Sequence, residues 1–270
     1  MAKLTFKRCE KKFLLSLGQY EMLKSEILKN GMVYDKYCKG GAVYKIYNIY
    51  FDDDENSIIR KSISHPKFKE KFRMRSYFIP KSGEDTVFLE IKRKIKGTVV
   101  KRRATLTYKE ALDFIENGTR PDTDDYLENK VLDELEYYMS IHNVRPKVFI
   151  SYERMAFFGG DDPDFRVTFD RNITTRRTDL RLDMGVYGDK LLADDEVLME
   201  VKIPGSIPIW FSDLLARHEI YISGFSKYGN EYSKFKGHDF LHYSSRRDKP
   251  LSNTSLLNEK HDLQKEQSNA

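Results

Sequence analysis

The chain has 270 residues, 40% of them hydrophobic and 33% charged, with a net charge of +5. That length can bury a sizeable core as one or two domains. No apolar run approaches the roughly 20 residues of a membrane-spanning helix, and so small a charge excess does not by itself call for nucleic acid.

In chain order, period-two alternation predicts strands at about 4–13, 43–52, 70–79, 86–95, 97–106, 146–156, 165–172 and 196–203. Helix signals fall between them. Ser16-x-x-Gln19 reads as a capping box opening a helix that stops near Asn30-Gly31, and Thr107-x-x-Glu110 opens a second, ending at Asn117-Gly118. A longer helix fits 124–142, with Leu127, Val131, Leu132, Leu135 and Tyr138 at helical spacing. A fourth fits 208–220 and carries Trp210, Leu214 and Leu215. Lys96-Gly97 suits a hairpin turn. The runs Asp52 to Glu55 and Asp161 to Asp164 read as solvated turns, with Asp52 near a tunnel rim. Tyr44, Tyr47 and Tyr50 read as sheet packing. Residues 1–243 are expected to form a single α+β domain, and the polar stretch 244–270 a disordered tail.

The two cysteines, Cys9 and Cys38, have no CxxC spacing, and Met1 to Lys7 carry no apolar signal region. A reduced, cytoplasmic setting is the expectation, with a Cys9–Cys38 disulfide as the alternative. The six histidines form no HxH or HxxxH pair, so any metal should be a hard, oxygen-liganded one rather than zinc. No local signature supports Ser-His-Asp or Cys-His catalysis.

The strands carry their charge on one face. Successive side chains in a strand alternate faces. Lys71, Arg73 and Arg75 therefore oppose Phe72 and Met74, and Glu90, Lys92 and Lys94 oppose Leu89 and Ile91. The pattern returns at Arg8-x-Glu10-x-Lys12, Tyr152-x-Arg154, Arg166-x-Thr168-x-Asp170 and Glu200-x-Lys202. One such stripe is most simply a solvated sheet face. Six together predict a sheet closed around a charged lumen, its apolar face turned outward under the helices. Eight strands close into a barrel just wide enough for side chains or a small ligand.

Cations dominate this inward set. At 4 Å and an effective dielectric near 20, a like-charged pair costs about 4 kcal/mol. A phosphate chain would neutralise such a lumen, since arginine offers paired donors and lysine a point charge. The few acids, Glu10, Glu90, Asp170 and Glu200, are either structural ion-pair partners or ligands for Mg²⁺ or Mn²⁺ bridging phosphate oxygens. A metal with fixed cations is the equipment of phosphoryl transfer.

These segments, with Ile49-Tyr50-Phe51-Asp52 and Phe225-Ser226-Lys227-Tyr228, resemble the VTC domain in order and spacing from about residue 4 to 232. That is the polyphosphate polymerase domain of the vacuolar transporter chaperone complex, found also as a stand-alone bacterial protein. The resemblance implies a triphosphate tunnel metalloenzyme fold: an eight-stranded antiparallel β-barrel with a hydrophilic lumen and helices outside. The superfamily's Glu-x-Glu-x-Lys signature reads Arg8-x-Glu10-x-Lys12 here, which suits the polymerase branch and argues against CYTH-type triphosphatases and adenylate cyclases.

Position by position, the resemblance implies that Lys12, Arg73, Arg75, Lys92, Arg154 and Lys227 bind the triphosphate or growing chain. Tyr152 matches a tunnel phosphate contact, Glu200 the metal ligand, and Arg8 and Glu10 first-strand lumen positions, with Glu10 taken as a second ligand for Mn²⁺ or Mg²⁺. For Lys71, Lys94, Lys101, Arg103, Arg166 and Lys202, substrate binding rests mainly on alternation. The implied partners are ATP and inorganic polyphosphate or triphosphate, with no nucleic acid. With no SPX-like segment or membrane span in the sequence, any transport would need a separate membrane partner. A tunnel triphosphatase and a non-catalytic polyanion-binding module are the rival functions.

Overall fold

The computed structural model describes residues 9–64, 67–96 and 98–237. Arg8, Gly97 of the expected hairpin turn and the expected tail 244–270 lie outside the described residues. Among the described residues ten strands form one antiparallel sheet: β1 (Cys9–Ser16), β2 (Met32–Tyr34), β3 (Tyr44–Asp52), β4 (Phe68–Ser76), β5 (Thr86–Ile95), β6 (Thr98–Thr107), β7 (Arg145–Gly159), β8 (Arg166–Arg176), β9 (Asp189–Lys190) and β10 (Glu196–Ile203). The main path runs β1-β10-β8-β7-β3-β4-β5-β6, with β2 added to β7 and β9 to β8. The helices are α1 (Leu17–Lys29), α2 (Ser57–Ile63), α3 (Tyr108–Asn117), α4 (Tyr126–His142), α5 (Ile209–Arg217) and α6 (Lys227–Phe235).

Both expected capping boxes form. Ser16 Oγ accepts from Gln19 N while the Gln19 side chain accepts from Ser16 N, and Thr107 and Glu110 do the same for α3. Each box satisfies two backbone donors that a helix start would otherwise leave open. Gly118, at φ 70°, ends α3 in the left-handed conformation that glycine adopts without a Cβ clash.

The outward face of the sheet is apolar and covered, as its alternation predicts. Val167, Phe169, Val197, Met199 and Val201 pack beneath Tyr20, Leu23 and Ile27 of α1 and Phe211, Leu214 and Leu215 of α5. Ile49, Phe51, Phe72, Met74, Leu89 and Ile91 pack beneath Ala111 and Phe114 of α3 and Leu132, Leu135 and Tyr138 of α4. Each large apolar side chain fully buried this way stabilises the fold by about 1.5–3 kcal/mol.

The expected eight-stranded barrel is corrected to an incompletely closed one. The sheet curls enough for inward side chains of distant strands to meet: Lys92 of β5 lies 3.6 Å from Glu10 of β1. Yet no ladder joins β1 to β6 among the described residues. Both edges are already engaged. Phe13 of β1 bridges Ile222 and the Lys12 carbonyl accepts from Ser223 N at 2.7 Å, while Thr105 N of β6 donates to Glu128 of α4 at 2.8 Å. Capped edges of this kind do not pair.

A third apolar cluster lies on the concave side. Ile46, Tyr50, Val148, Ile150, Tyr152 and Leu198 share the inward parity, and there they meet Phe225 together with Tyr228 and Tyr232 of α6. The inward face is thus charged over only part of its length, and α6 fills the rest. Alternation alone did not mark α2, α6, β2 or β9.

Asp52 departs from the solvated turn expected of it. It is fully buried, accepts from Ile58 N and Ile59 N at 2.9 Å at the start of α2, and accepts from Tyr228 Oη of α6 at 3.0 Å. One carboxylate therefore ties β3, α2 and α6 together. Asp52→Ala would leave these buried donors unsatisfied. We expect a loss of roughly 2–4 kcal/mol in stability, read from urea denaturation, while Tyr228→Phe, which removes one donor, should cost about 1 kcal/mol.

Candidate functional site

The concave face encloses a cavity of about 310 Å³ lined from β1, β3, β4, β5, β6, β7, β10 and α6. Of the expected site residues, Glu10, Lys12, Lys71, Arg73, Arg75, Lys92, Lys101, Tyr152, Arg154, Glu200, Lys202 and Lys227 line it. The cross-strand register explains why they meet. Lys12 pairs with Glu200, Glu10 with Lys202, Arg73 with Glu90 and Lys71 with Lys92, so inward positions of adjacent strands fall side by side.

Two carboxylates organise the cations. Glu90, with no solvent exposure, accepts from Arg73 at 2.7 and 2.8 Å, from Arg103 Nε at 2.6 Å and from Lys101 at 3.4 Å. Burial would raise its carboxyl, but Arg73, Arg75, Lys101 and Arg103 overcome this and hold it well below the usual carboxylate range. Glu200 accepts from Arg154 at 2.9 Å and from Lys227 and Lys12 at 3.2 Å. Burial works against its ionised form too, and Lys227, Lys12, Arg154 and Lys92 outweigh it. Asp170 supports this second centre: Arg154 donates to both its oxygens at 2.6 Å, and Lys227 donates to Oδ2.

Tyrosines hold the remaining guanidinium positions. Arg73 Nη1 donates to Tyr50 Oη at 3.0 Å; Arg75 donates to Asn48 Oδ1 at 2.9 Å and to Tyr152 Oη at 3.1 Å. Burial would raise the Tyr50 phenol, but Arg73 and Arg75 bring it below its ordinary value. Lys71 and Lys202 make no salt bridge within 4 Å among the described residues. Burial, followed by neighbouring cations, pushes Lys71 down to about 7. Burial and then Arg154 push Lys202 down to about 7 against the pull of Glu10 and Glu200.

Three expected phosphate contacts stand elsewhere. Arg166 donates to Asp35 at 3.3 Å and to Tyr44 Oη at 3.4 Å, away from the cavity lining. Arg103 pairs with Glu90 and Tyr77 Oη and packs its guanidinium 4.2 Å from the Phe88 ring centroid. Asp35 and Tyr44 hold Arg166 off the lining, whereas Arg103 stays on the inward face as one of the cations around Glu90, its cross-strand partner. Lys94 lines a neighbouring chamber of about 430 Å³. Cys9 and Cys38 are free thiols. Sequence reasoning passed over Tyr50, Ser226 and Tyr228, which also line the cavity. Ser226-x-x-Gly229 at the start of α6 was the available signal, since Ser226 Oγ caps Gly229 N at 3.1 Å.

Among the described residues no group of three or more His, Cys, Asp or Glu side chains is placed to hold a metal. Glu10 and Glu200 nevertheless both reach Lys12 Nζ, at 3.8 and 3.2 Å. Two hard oxygen donors in a basic cavity fit Mg²⁺ or Mn²⁺, which bind through one or two carboxylates with phosphate oxygens and water completing the shell. The arrangement suits binding a multiply charged phosphate chain with an accompanying divalent cation.

The sequence matches the model of the VTC domain family over residues 7–236, and the chain belongs to that family. Membership supports a triphosphate-tunnel function. No curated protein matches the sequence closely enough to stand as a relative. Among solved structures, the chain is similar to a candidate adenylate cyclase from Bacillus halodurans at 16% identity and a TM-score of 0.49, covering 82% of this chain and 95% of that one. It is also similar to a candidate adenylyl cyclase from Hippeastrum whose dominant activity is that of a triphosphatase, at 15% identity and a TM-score of 0.48, covering 86% and 96%.

The pairing around Glu90 and Glu200 sets a pH response. Both carboxyls titrate lower in the folded state than unfolded, so their contribution to stability is full above the unfolded value near 4.3 and is lost as pH falls through the folded values. Glu90→Gln should flatten that acid loss and lower stability at neutral pH by roughly 3–5 kcal/mol, because Arg73, Arg75 and Arg103 would face one another unneutralised. Denaturant midpoints from pH 7 down to pH 3 would check this, and added triphosphate should restore more stability to the variant than to the wild type.

Proposed function

We propose that this chain is a metal-dependent polyphosphate polymerase, transferring the γ-phosphoryl group of ATP to phosphate or a growing polyphosphate chain and releasing ADP. The observation that carries this reading is the continuity of the basic space. Glu10, Lys12, Lys71, Lys92, Val99 and Ser226 line both the 310 Å³ cavity and the 430 Å³ chamber beside it. Hydrolysis of one triphosphate needs room for a water; extension of a chain needs room for a second polyanion along the donor. The second chamber adds Lys11, Lys69 and Lys94 to the cations available.

Catalysis on this reading is positioning and electrostatics. Lys12, Lys92, Arg154 and Lys227 would hold one phosphate group beside Glu200, and Arg73 and Arg75 another beside Tyr50 and Tyr152. Asp170, Glu90 and the tyrosine hydroxyls fix the guanidinium planes in advance, so little reorganisation is needed when charge develops on the transferred oxygens. Glu200 and Glu10 would hold Mn²⁺ or Mg²⁺, which supplies neutralisation of the phosphate oxygens. No protein side chain need be phosphorylated during chain elongation. No helix among the described residues is long and apolar enough to cross a membrane, and coupling to transport would fall to a separate membrane partner.

Incubation of the protein with ATP and Mn²⁺ tests the reading, with ADP, free phosphate and polymer all followed. We expect acid-labile polymer from the wild type, and at least a 10²-fold loss of its rate in both Lys12→Ala and Glu200→Ala. Free phosphate without polymer would replace this reading with a tunnel triphosphatase. Tight triphosphate binding without turnover, retained in Glu200→Ala, would leave a polyanion-binding module.

A further inference from the structure

Ser226 stands where the two chambers join and lines both. Its Oγ lies 3.0 Å from Lys71 Nζ and 3.1 Å from Gly229 N. Both neighbours act as donors to it, so the hydroxyl proton is committed to no acceptor among the described residues. A Cβ at Gly229 would come within 3.1 Å of this Oγ, so glycine there keeps the hydroxyl clear.

The strands around Lys71 are rich in cations, and the one carboxylate lining both chambers with it, Glu10 of β1, is itself paired with Lys12 and Lys92. Lys69 and Arg73 flank Lys71 on β4, Lys12 faces it from β1 and Lys92 from β5, and the Tyr228 ring of α6 lies 6.0 Å away. Burial and those cations push its ammonium down to about 7, so a neutral amine is available near neutral pH. A serine hydroxyl beside such an amine is the arrangement that activates a weak nucleophile. Asn230 adds a second observation. It is buried and lines the second chamber, its Oδ1 accepts from Ser226 N at 2.9 Å, and its Nδ2 makes no hydrogen bond. Among the described residues this buried amide donor at the start of the helix has no partner, beside the backbone N–H of the residue it holds.

We propose that Ser226 is a phosphoryl acceptor, taking the first γ-phosphoryl group from ATP with Lys71 as its base, so that chain synthesis begins on the protein itself. The inference rests on the polymerase reading and extends it from elongation to initiation. In the step, Ser226 Oγ forms a bond to the γ-phosphorus and the bond from that phosphorus to the β–γ bridging oxygen breaks. ADP leaves with that electron pair, and the hydroxyl proton passes to Lys71 Nζ, giving an ammonium beside the new phosphoserine. The Lys71 ammonium formed in the step and the Gly229 N–H, 3.0 and 3.1 Å from Oγ, are the donors beside the product phosphate. The next γ-phosphoryl group would add to a phosphoserine oxygen.

The test uses the whole chain with Mn²⁺ and γ-labelled ATP, without added primer. Protein is denatured, treated with mild acid to remove phosphoanhydrides, and mapped by peptide mass. Acid-stable label on the peptide holding Ser226 is expected, its rate rising as pH increases through about 7 as Lys71 loses its proton. Ser226→Asn keeps a helix cap but has no hydroxyl; it should lose the label and show a lag in polymer formation that added triphosphate shortens. Lys71→Arg, which keeps the charge but cannot take up the proton, should cut labelling at least 10-fold. Polymer from the wild type with no label on Ser226, or no lag in Ser226→Asn, would overturn the inference and leave the polymerase reading standing. Label without polymer would support the acceptor step and sink the polymerase reading. Absence of both, even with triphosphate present, would sink the two together.

Discussion

The structure depends on confining many cations to one concave face with few carboxylates among them. Like charges a few ångströms apart repel by several kcal/mol unless shared partners or bound anions offset them. The fold's answer is to share each acid widely. Glu90 serves arginines and a lysine from β4 and β6, and Glu200 serves Lys12, Arg154 and Lys227 from β1, β7 and α6. The helices outside bury the apolar face of the same strands, and that burial is the favourable term able to hold an electrostatically costly interior together.

The two halves of the concave face do different work. Around Glu90 and Glu200 the cations are paired and oriented. At the junction of the chambers Lys71 has no carboxylate within 4 Å among the described residues, and its Nζ lies 3.0 Å from Ser226 Oγ. Burial and neighbouring cations bring the Lys71 ammonium down to about 7, whereas beside Glu200 the charges of Arg154 and Lys227 are already shared with Asp170.

The strands and the outward apolar face were legible in the sequence because period-two alternation is strong wherever one face is buried and the other charged. Phe72 and Met74 against Arg73 and Arg75 show the rule. Capping chemistry at Ser16 and Thr107 set two helix starts to the residue. Alternation did not foresee that a side chain on the charged face could find partners off the cavity lining, as Arg166 did with Asp35 and Tyr44. It did not mark α6, a nine-residue helix whose buried residues include Lys227, Asn230 and Glu231, polar types that read as solvent-facing. Such a helix is defined by what it plugs. The open seam between β1 and β6 could not be read either, since it follows from what Ser223 and Glu128 do at the two edges.

Asp52 connects these points. A run of four acids reads as a solvated turn, and Asp53 to Glu55 are partly or fully exposed. Asp52 alone turns inward, where its parity with Asn48 and Tyr50 places it. By accepting from α2 and from Tyr228 it fixes the depth of α6 in the concave face. Tyr228 stacks on Tyr50 with ring centroids 5.0 Å apart, Tyr50 receives Arg73, and the preceding turn carries Ser226 and Lys227 to their partners. A single buried carboxylate on β3 thus positions Lys227 against Glu200 and Ser226 against Lys71. The geometry of both centres depends on a residue that touches neither.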